Sequence, residues 1–308
     1  FGAHVPGHYD RLRRHGELLA RHTGVTVHDI PKSRQHEITK TDFYHGGIVI
    51  DEYGGLHPAK YHRALRELAK ASGAKLRSHA PVLKVGSAAN GFHSVETGRG
   101  TIRARNVFFG TNGYTDKANG YLQKRIVGVR SYQIATEPLP PELMAEINPG
   151  RRMITDSKRE LIYSRPSPDG TRLLFGSRPG MFSLPEREAA PRLHAMMLKV
   201  WPQLAGYKVT HCWSGKVGMT ADKIAHMGRR DGIDFAIGCN GNGVALMTYL
   251  GHQSALKLLG HQNQPSAFDD PAFPQIPVPF YDGRPWFLPI VSGWYHLQDA
   301  IDRRLARL

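Results

Sequence analysis

Three closely set glycines, Gly238, Gly241 and Gly243, follow a short apolar run (Phe235, Ala236, Ile237) and precede a stretch of helical periodicity that ends at Gly260. Strand, glycine turn and helix in that order aim free backbone N–H groups and the positive end of a helix dipole at one point. An anionic or electron-rich ligand is stabilised there. Glycine suits the turn because it accepts positive φ and carries no side chain to hold a ligand away. The same pattern also serves as a ligand-free connection, and the stretch alone leaves both readings open. A second pair with chemical potential is Tyr163 and Arg165, which alternate with apolar neighbours, so a strand would put both on one side of a sheet. A phenol and a guanidinium there suit a carboxylate or amine ligand; a surface pair on a half-exposed sheet fits the same pattern.

Other chemistries find little support. His4 and His8 are separated by Pro6 and Gly7, which spoil a helical pair, and His57 and His62 fall on different helix faces. Neither matches a metal-ligand pattern with a nearby carboxylate, so no metal site is expected and these histidines read as solvated. There is no Gly-x-Ser-x-Gly elbow and no Gly-Lys-Ser/Thr phosphate loop. Cys212 and Cys239 each sit in or beside an apolar strand and read as core packing. Two cysteines form no disulfide framework, which makes a reducing cytoplasm the default.

The elements that must position these groups alternate along the 308 residues, of which 40% are hydrophobic and 22% charged. That is ample for one large core or two domains. The spacing predicts a helix from His8 to Gly24, a strand from Val25 and a helix from Pro58 to Ala71, with a strand resuming over Lys75 to His79. Short strands follow at Val82–Val85, Phe92–Thr97 and Thr101–Arg105, then a buried strand from Asn106 into the turn around Thr111 and Asn112. A long strand is predicted over Ile126–Thr136, a hairpin over Leu161–Gly176, a helix over Glu186–Trp201 and a strand over Val209–Trp213. The proline-rich tail from Pro265 reads as extended, with a short basic helix over Leu297–Leu308. A formal net charge of +15 suits phosphate-bearing cofactors and anionic metabolites. Lys and Arg are scattered with no interleaved aromatic stripe, which argues against nucleic acid. No run reaches the apolar length of a membrane span.

Taken in order, Gly54–Pro58, Phe108–Thr115, Ala135–Pro140, Leu173–Arg178, Trp201–Leu204, Trp213–Thr220 and Gly238–Val244 resemble the D-amino-acid oxidase / glycine–sarcosine oxidase family, in its gamma-glutamylputrescine oxidase-like branch. The resemblance covers nearly the whole chain. It implies an FAD-dependent enzyme that oxidises the C–N bond of an amine or amino acid, with oxygen as co-substrate and an imine and hydrogen peroxide as products. It implies a mixed α/β fold, an incomplete Rossmann-like FAD-binding domain interleaved with an antiparallel-sheet substrate domain. In these terms, residues 1–50 and 121–222 are substrate-domain segments, 51–120 and 223–260 are FAD-domain segments, and 261–308 form an extended tail with a short helix. The resemblance places Gly241, Gly243 and Val244 beside the flavin ring, flanked by Gly238, Asn240 and Asn242, with Gly215 also at the cofactor. It places the Val82 backbone against adenine, and Thr111 and Asn112 against the cofactor. Tyr163 and Arg165 fall on the substrate-domain strand, as the residues that act on the substrate.

Two departures stand out. The family opens with a strand and Gly-x-Gly-x-x-Gly that cradle the pyrophosphate, and no such motif occurs in this sequence. The expectation is a chain lacking the first βαβ unit, for which FAD binding calls for a partner chain carrying the motif. The alternative to an oxidase is a non-catalytic or split-enzyme fragment that keeps the substrate domain and does not bind FAD alone. The second departure is Gly218, which stands where some members tether the flavin to a cysteine, so the flavin is expected to be non-covalent.

Overall fold

The computed structural model describes residues 1–86, 90–180, 182–261, 265–269 and 272–306. The chain divides into two compact units. Unit 1 comprises Phe1–His57, Ser131–Gly215 and Phe287–Leu308, and unit 2 comprises Pro58–Arg130 and Lys216–Trp286.

Helix α1 (Pro6–Thr23) starts with proline in its first turn, where no N–H is missed, and stops at Gly24 in the left-handed conformation. Strands β1 (Val27–Ile30) and β2 (Gly47–Ile50) pair antiparallel, Val27 opposite Ile50. Helix α2 (Pro58–Ala71) keeps the predicted bounds and buries none of its residues. The strand expected over Lys75–His79 is not formed. Every residue there is exposed, and a strand without a neighbouring edge has nothing to complete its hydrogen bonds. Strands β3 (Val82–Val85), β4 (His93–Thr97) and β5 (Gly100–Ala104) make an antiparallel meander, and β6 (Val107–Phe109) runs into the turn at Thr111.

After the short helix α3 (Gly120–Gln123) come β7 (Val127–Thr136), α4 (Pro141–Ile147), β8 (Ile154–Thr155), β9 (Tyr163–Pro166), β10 (Leu173–Ser177) and α5 (Glu186–Val200). Strand β11 (Val209–Met219) continues well past the expected end at Trp213. Its last glycines stay extended, a conformation open to any residue. Strands β12 (His226–Arg230) and β13 (Ile233–Ile237) form a hairpin, and α6 (Gly243–Leu258) follows. The last helix, α7 (Leu288–Leu305), begins earlier than predicted, because Pro289 lies in its first turn, where proline is tolerated. Arg307 and Leu308, the end of the predicted helix, lie outside the described residues.

In unit 1 the sheet order is β11-β7-β10-β9-β8. One face carries Tyr132, Ile134, Leu173 and Phe175, which pack with Leu193, Met197 and Val200 of α5 and with Trp201. In unit 2 the order is β12-β13-β6, with β13 parallel to β6, so Phe235 faces Phe109 in register. Phe109, Leu122, Ile126, Phe235, Ile237 and Phe273 make one cluster, and Ala225, Met227, Ala236 and Leu250 make another. The fold is mixed α/β, with antiparallel sheets and one parallel pair. Among the described residues no helix is long and apolar enough to cross a membrane.

His4 and His8 are buried rather than solvated. The Ser157 hydroxyl accepts from the His4 backbone N–H at 3.0 Å and lies 2.7 Å from His8 Nδ1. An amphipathic pattern read on a helix cannot show that a loop from another part of the chain closes over it.

Candidate functional site

Within unit 2 the turn after β6 and the turn after β13 are bound together by one amide. Asn112 holds φ at 45°, in the left-handed region that asparagine tolerates better than most residues. That conformation turns its side chain onto the other loop. Its Oδ1 accepts from Gly238 N at 3.1 Å and Cys239 N at 3.2 Å, and its Nδ2 donates to Cys239 Sγ at 3.1 Å. Asn240 repeats the device. With φ at 50°, its Oδ1 accepts from Thr220 N at 2.9 Å, and its Nδ2 donates to the Gly238 carbonyl at 2.7 Å. The glycines follow from this crowding. A Cβ at Gly218 would run into Asn112 Oδ1, and one at Gly238 would run into the Thr220 methyl while also facing a φ of +85°. Gly241 differs: φ is +101°, and a Cβ there would meet open space.

Asn242 is the cap residue of α6, and its side chain makes no capping hydrogen bond. The backbone N–H groups of Gly243, Val244 and Ala245 have no acceptor among the described residues, and Val244 and Ala245 are exposed. The start of a 16-residue helix is therefore an open donor end carrying the positive pole of its dipole. Thr111 is exposed, and its hydroxyl is 2.8 Å from that of Thr115. Val82 opens β3, paired with Thr97, and makes no hydrogen bond to these turns. Gly215 lies in β11 and belongs to unit 1. Of the expected cofactor residues, the two turns thus hold Thr111, Asn112, Gly238, Asn240, Gly241, Asn242, Gly243 and Val244; Val82 lies on β3, and Gly215 lies on β11 three residues before Gly218.

In unit 1, β9 alternates as the sequence implies. Tyr163 and Arg165 are half-buried, and Ser164 and Pro166 are buried. The register sets Tyr163 opposite Gly176 and Gly176 opposite Gln133, with Arg165, Leu174 and Ala135 in the adjacent row. Ser131, Gln133, Tyr163 and Arg165 thus share the face turned away from the α5 core. A Cβ at Gly176 would overlap the Tyr163 ring, so glycine lets that ring lie across β10. The phenol reaches the Ser131 hydroxyl and donates to the Tyr132 carbonyl at 3.2 Å. Burial raises its pKa, which keeps it protonated at neutral pH. Arg165 donates one Nη to the Leu56 carbonyl at 2.9 Å, and its other N–H groups have no partner among the described residues. The Gln133 amide is likewise unpaired there. Sequence reasoning missed Ser131 and Gln133. Their signal was the polar alternation Ser131-Tyr132-Gln133-Ile134 along one strand.

The pattern of the family described as FAD dependent oxidoreductase matches residues 2–255. The chain belongs to the FAD-dependent oxidoreductases. Among relatives, a probable oxidoreductase OrdL from Haemophilus influenzae is 31% identical over 261 residues, covering 83% of this chain and 58% of that protein. A gamma-glutamylputrescine oxidoreductase from Escherichia coli strain K12 is 27% identical over 268 residues, covering 85% of this chain and 61% of that protein. The crystal structure of glycine oxidase from Geobacillus kaustophilus superposes with a TM-score of 0.74 at 21% identity, covering 90% of this chain and 74% of that one. At that identity the likeness establishes the fold. The chain spans about three fifths of the length of the curated relatives it matches.

The residues present fit one end of the cofactor this family uses. An open helix start behind a glycine with free space in front of it accommodates an electron-rich ring, and the donors are the three unpaired N–H groups at Gly243, Val244 and Ala245. The pyrophosphate end finds no counterpart, since no Gly-x-Gly-x-x-Gly occurs in the 308 residues.

Proposed function

We propose that this chain supplies the substrate-binding sheet and the flavin-ring end of an oxidase acting on the C–N bond of an amine or amino acid. Unit 1 is read as the substrate part and unit 2 as the FAD part. Bound FAD would supply acceptance of a hydride equivalent from the carbon bearing the amine, with oxygen as the final acceptor, so that the products would be an imine, which water hydrolyses, and hydrogen peroxide. The chain's own residues do the rest. The free fork of Arg165 receives a substrate carboxylate, Gln133 offers an amide within the same patch, and Tyr163, fixed by Ser131 and the Tyr132 carbonyl, orients the substrate with its remaining lone pair. In unit 2, Gly243 and Val244 would hold the ring by their N–H groups, with Gly241 leaving the approach clear. The helix dipole there favours negative charge. Attachment is non-covalent, because a side chain at Gly218 would meet Asn112 Oδ1.

The observation that carries the reading is the polar, half-open face of the five-stranded sheet in a chain of this family. The test is peroxide release from a panel of amino acids and carboxylate-free amines, with FAD supplied. Arg165→Ala is expected to raise KM about 100-fold for amino acids and to leave carboxylate-free amines little changed. Equal effects on both classes would remove Arg165 from the site.

The absent pyrophosphate motif favours a second reading, in which the chain takes up FAD only with a cradle supplied by a partner chain. Flavin absorbance that stays with the protein only after mixing with a chain carrying Gly-x-Gly-x-x-Gly would support it. Stoichiometric flavin on this chain alone would exclude it.

A further inference from the structure

Away from the turns discussed above, unit 2 contains a cleft of about 440 Å³ lined by Tyr121, Lys124, Arg125, Arg230, Phe273 and Gln275, among others, and no carboxylate lines it among the described residues. Its floor is rigid. The Arg125 guanidinium lies 3.6 Å from the centroid of the Tyr121 ring, and it donates to the Phe273 carbonyl at 2.8 Å and the Tyr121 carbonyl at 2.9 Å. Arg230 approaches the same ring, at 5.4 Å. One aromatic ring thus gathers two guanidinium groups, and Lys124 adds a third positive charge. Among the described residues the carboxylate paired with this group is that of Asp231, 3.5 Å from Arg230 Nε and largely in water, so it neutralises little of this charge. Phe273 and Tyr121 are fixed by the Phe235 cluster behind them, which holds the floor in place.

Like charges held together raise the energy of the empty cleft, and a multivalent anion relieves it. Arg125 cannot swing away, because two carbonyls and a ring hold it, so its outward N–H groups are pre-oriented. Forked guanidinium groups and a mobile ammonium together match the several oxygens of a phosphoryl group. The volume takes more than a single phosphate. We propose that this cleft binds a polyanionic phosphate, a diphosphate or larger, at a site separate from the α6 turn.

The probe is pyrophosphate, titrated calorimetrically into the full chain at low salt. Saturable one-site binding is expected. It should weaken about tenfold or more in the Lys124→Ala/Arg230→Ala double variant, whose two side chains are exposed, and hold steady in Lys60→Ala/Lys84→Ala, which removes the same charge elsewhere in unit 2. Unchanged circular dichroism and Tm in the first variant show that binding, not folding, was lost. Equal weakening in both variants would reduce the effect to the chain's overall positive charge and overturn the proposal. Citrate serves as the carboxylate arm: binding as tight as pyrophosphate would overturn the phosphate assignment.

Discussion

Each unit contains a strand glycine whose missing side chain is replaced by a neighbour's, and the two replacements differ in what they leave free. At Gly218 the neighbour is the Asn112 amide, which then uses its oxygen on Gly238 N and Cys239 N and its nitrogen on Cys239 Sγ. At Gly176 the neighbour is the Tyr163 ring, whose phenol ends on Ser131 and a backbone carbonyl while Arg165 beside it keeps most of its donors. The first arrangement closes on itself and fixes two turns. The second presents polar groups on a sheet face whose opposite side is the core. Polar side chains in glycine-rich turns therefore need not touch a ligand; whether their hydrogen-bonding capacity is already filled separates the two cases.

The comparison is broken most severely at Asn112. Asn112→Ala should cost about 3 kcal/mol in denaturant unfolding, because two N–H groups lose their acceptor and alanine disfavours the positive φ. Asn112→Asp, which keeps the acceptor oxygens, should cost about 1 kcal/mol. Equal losses would show that the amide is not the lock. Next in size, Gly176→Ala should cost about 2 kcal/mol by overlap with the Tyr163 ring. Combining it with Tyr163→Ala should recover about 1 kcal/mol or more of coupling in a double-mutant cycle, and strict additivity would show that the ring does not depend on the glycine. Tyr163→Phe should change stability by about 1 kcal/mol at most, since the phenol's partners are backbone and an accessible hydroxyl. A larger loss would make Tyr163 a lock like Asn112.

The smallest effect is a pH dependence in unit 1. Burial, with Lys158 adding repulsion, pushes His4 down to about 4 from 6.5. The folded ring stays neutral while the unfolded ring takes up a proton below pH 6.5. Stability is therefore full above that value and is lost progressively as pH falls toward 4, by less than about 1 kcal/mol at pH 6. His4→Phe should flatten this part of the profile in urea titrations at pH 7.5 and pH 6. An unchanged slope would place the sensitivity elsewhere, with Asp156, raised to about 6 chiefly by its burial, working in the opposite direction.

The sequence was most legible where local chemistry decides. Pro58 and Gly73 bracket α2 closely, and Pro168-Asp169-Gly170 specifies the turn between β9 and β10. It was least legible where a distant partner decides. Lys75–His79 has strand-like residues and no edge to pair with, whereas β11 has the ten-residue β7 beside it as its one neighbour in the sheet. Tyr163 and Arg165 could be put on one face from their spacing alone, but Ser131 and Gln133 join that face through cross-strand register, which spacing within one strand cannot supply. The glycine turn at Gly238 was visible as a turn. That Asn112 fills it could not be read, because no local rule links the two positions.

That link has a consequence for the order in which the molecule assembles. Asn112 and Gly238 are 126 positions apart, and β6 finds β13 only when the intervening chain exists. The hairpin of β9 and β10 needs a single short turn and can close early, whereas the β6–β13 pair must first overcome the entropy of closing a very long loop. During synthesis β6 therefore waits with Phe108 and Phe109 exposed while most of the remaining strands emerge from the ribosome. The β6–β13 pair is thus a late step in the assembly of unit 2, and slow folding and chaperone dependence within that unit should concentrate there.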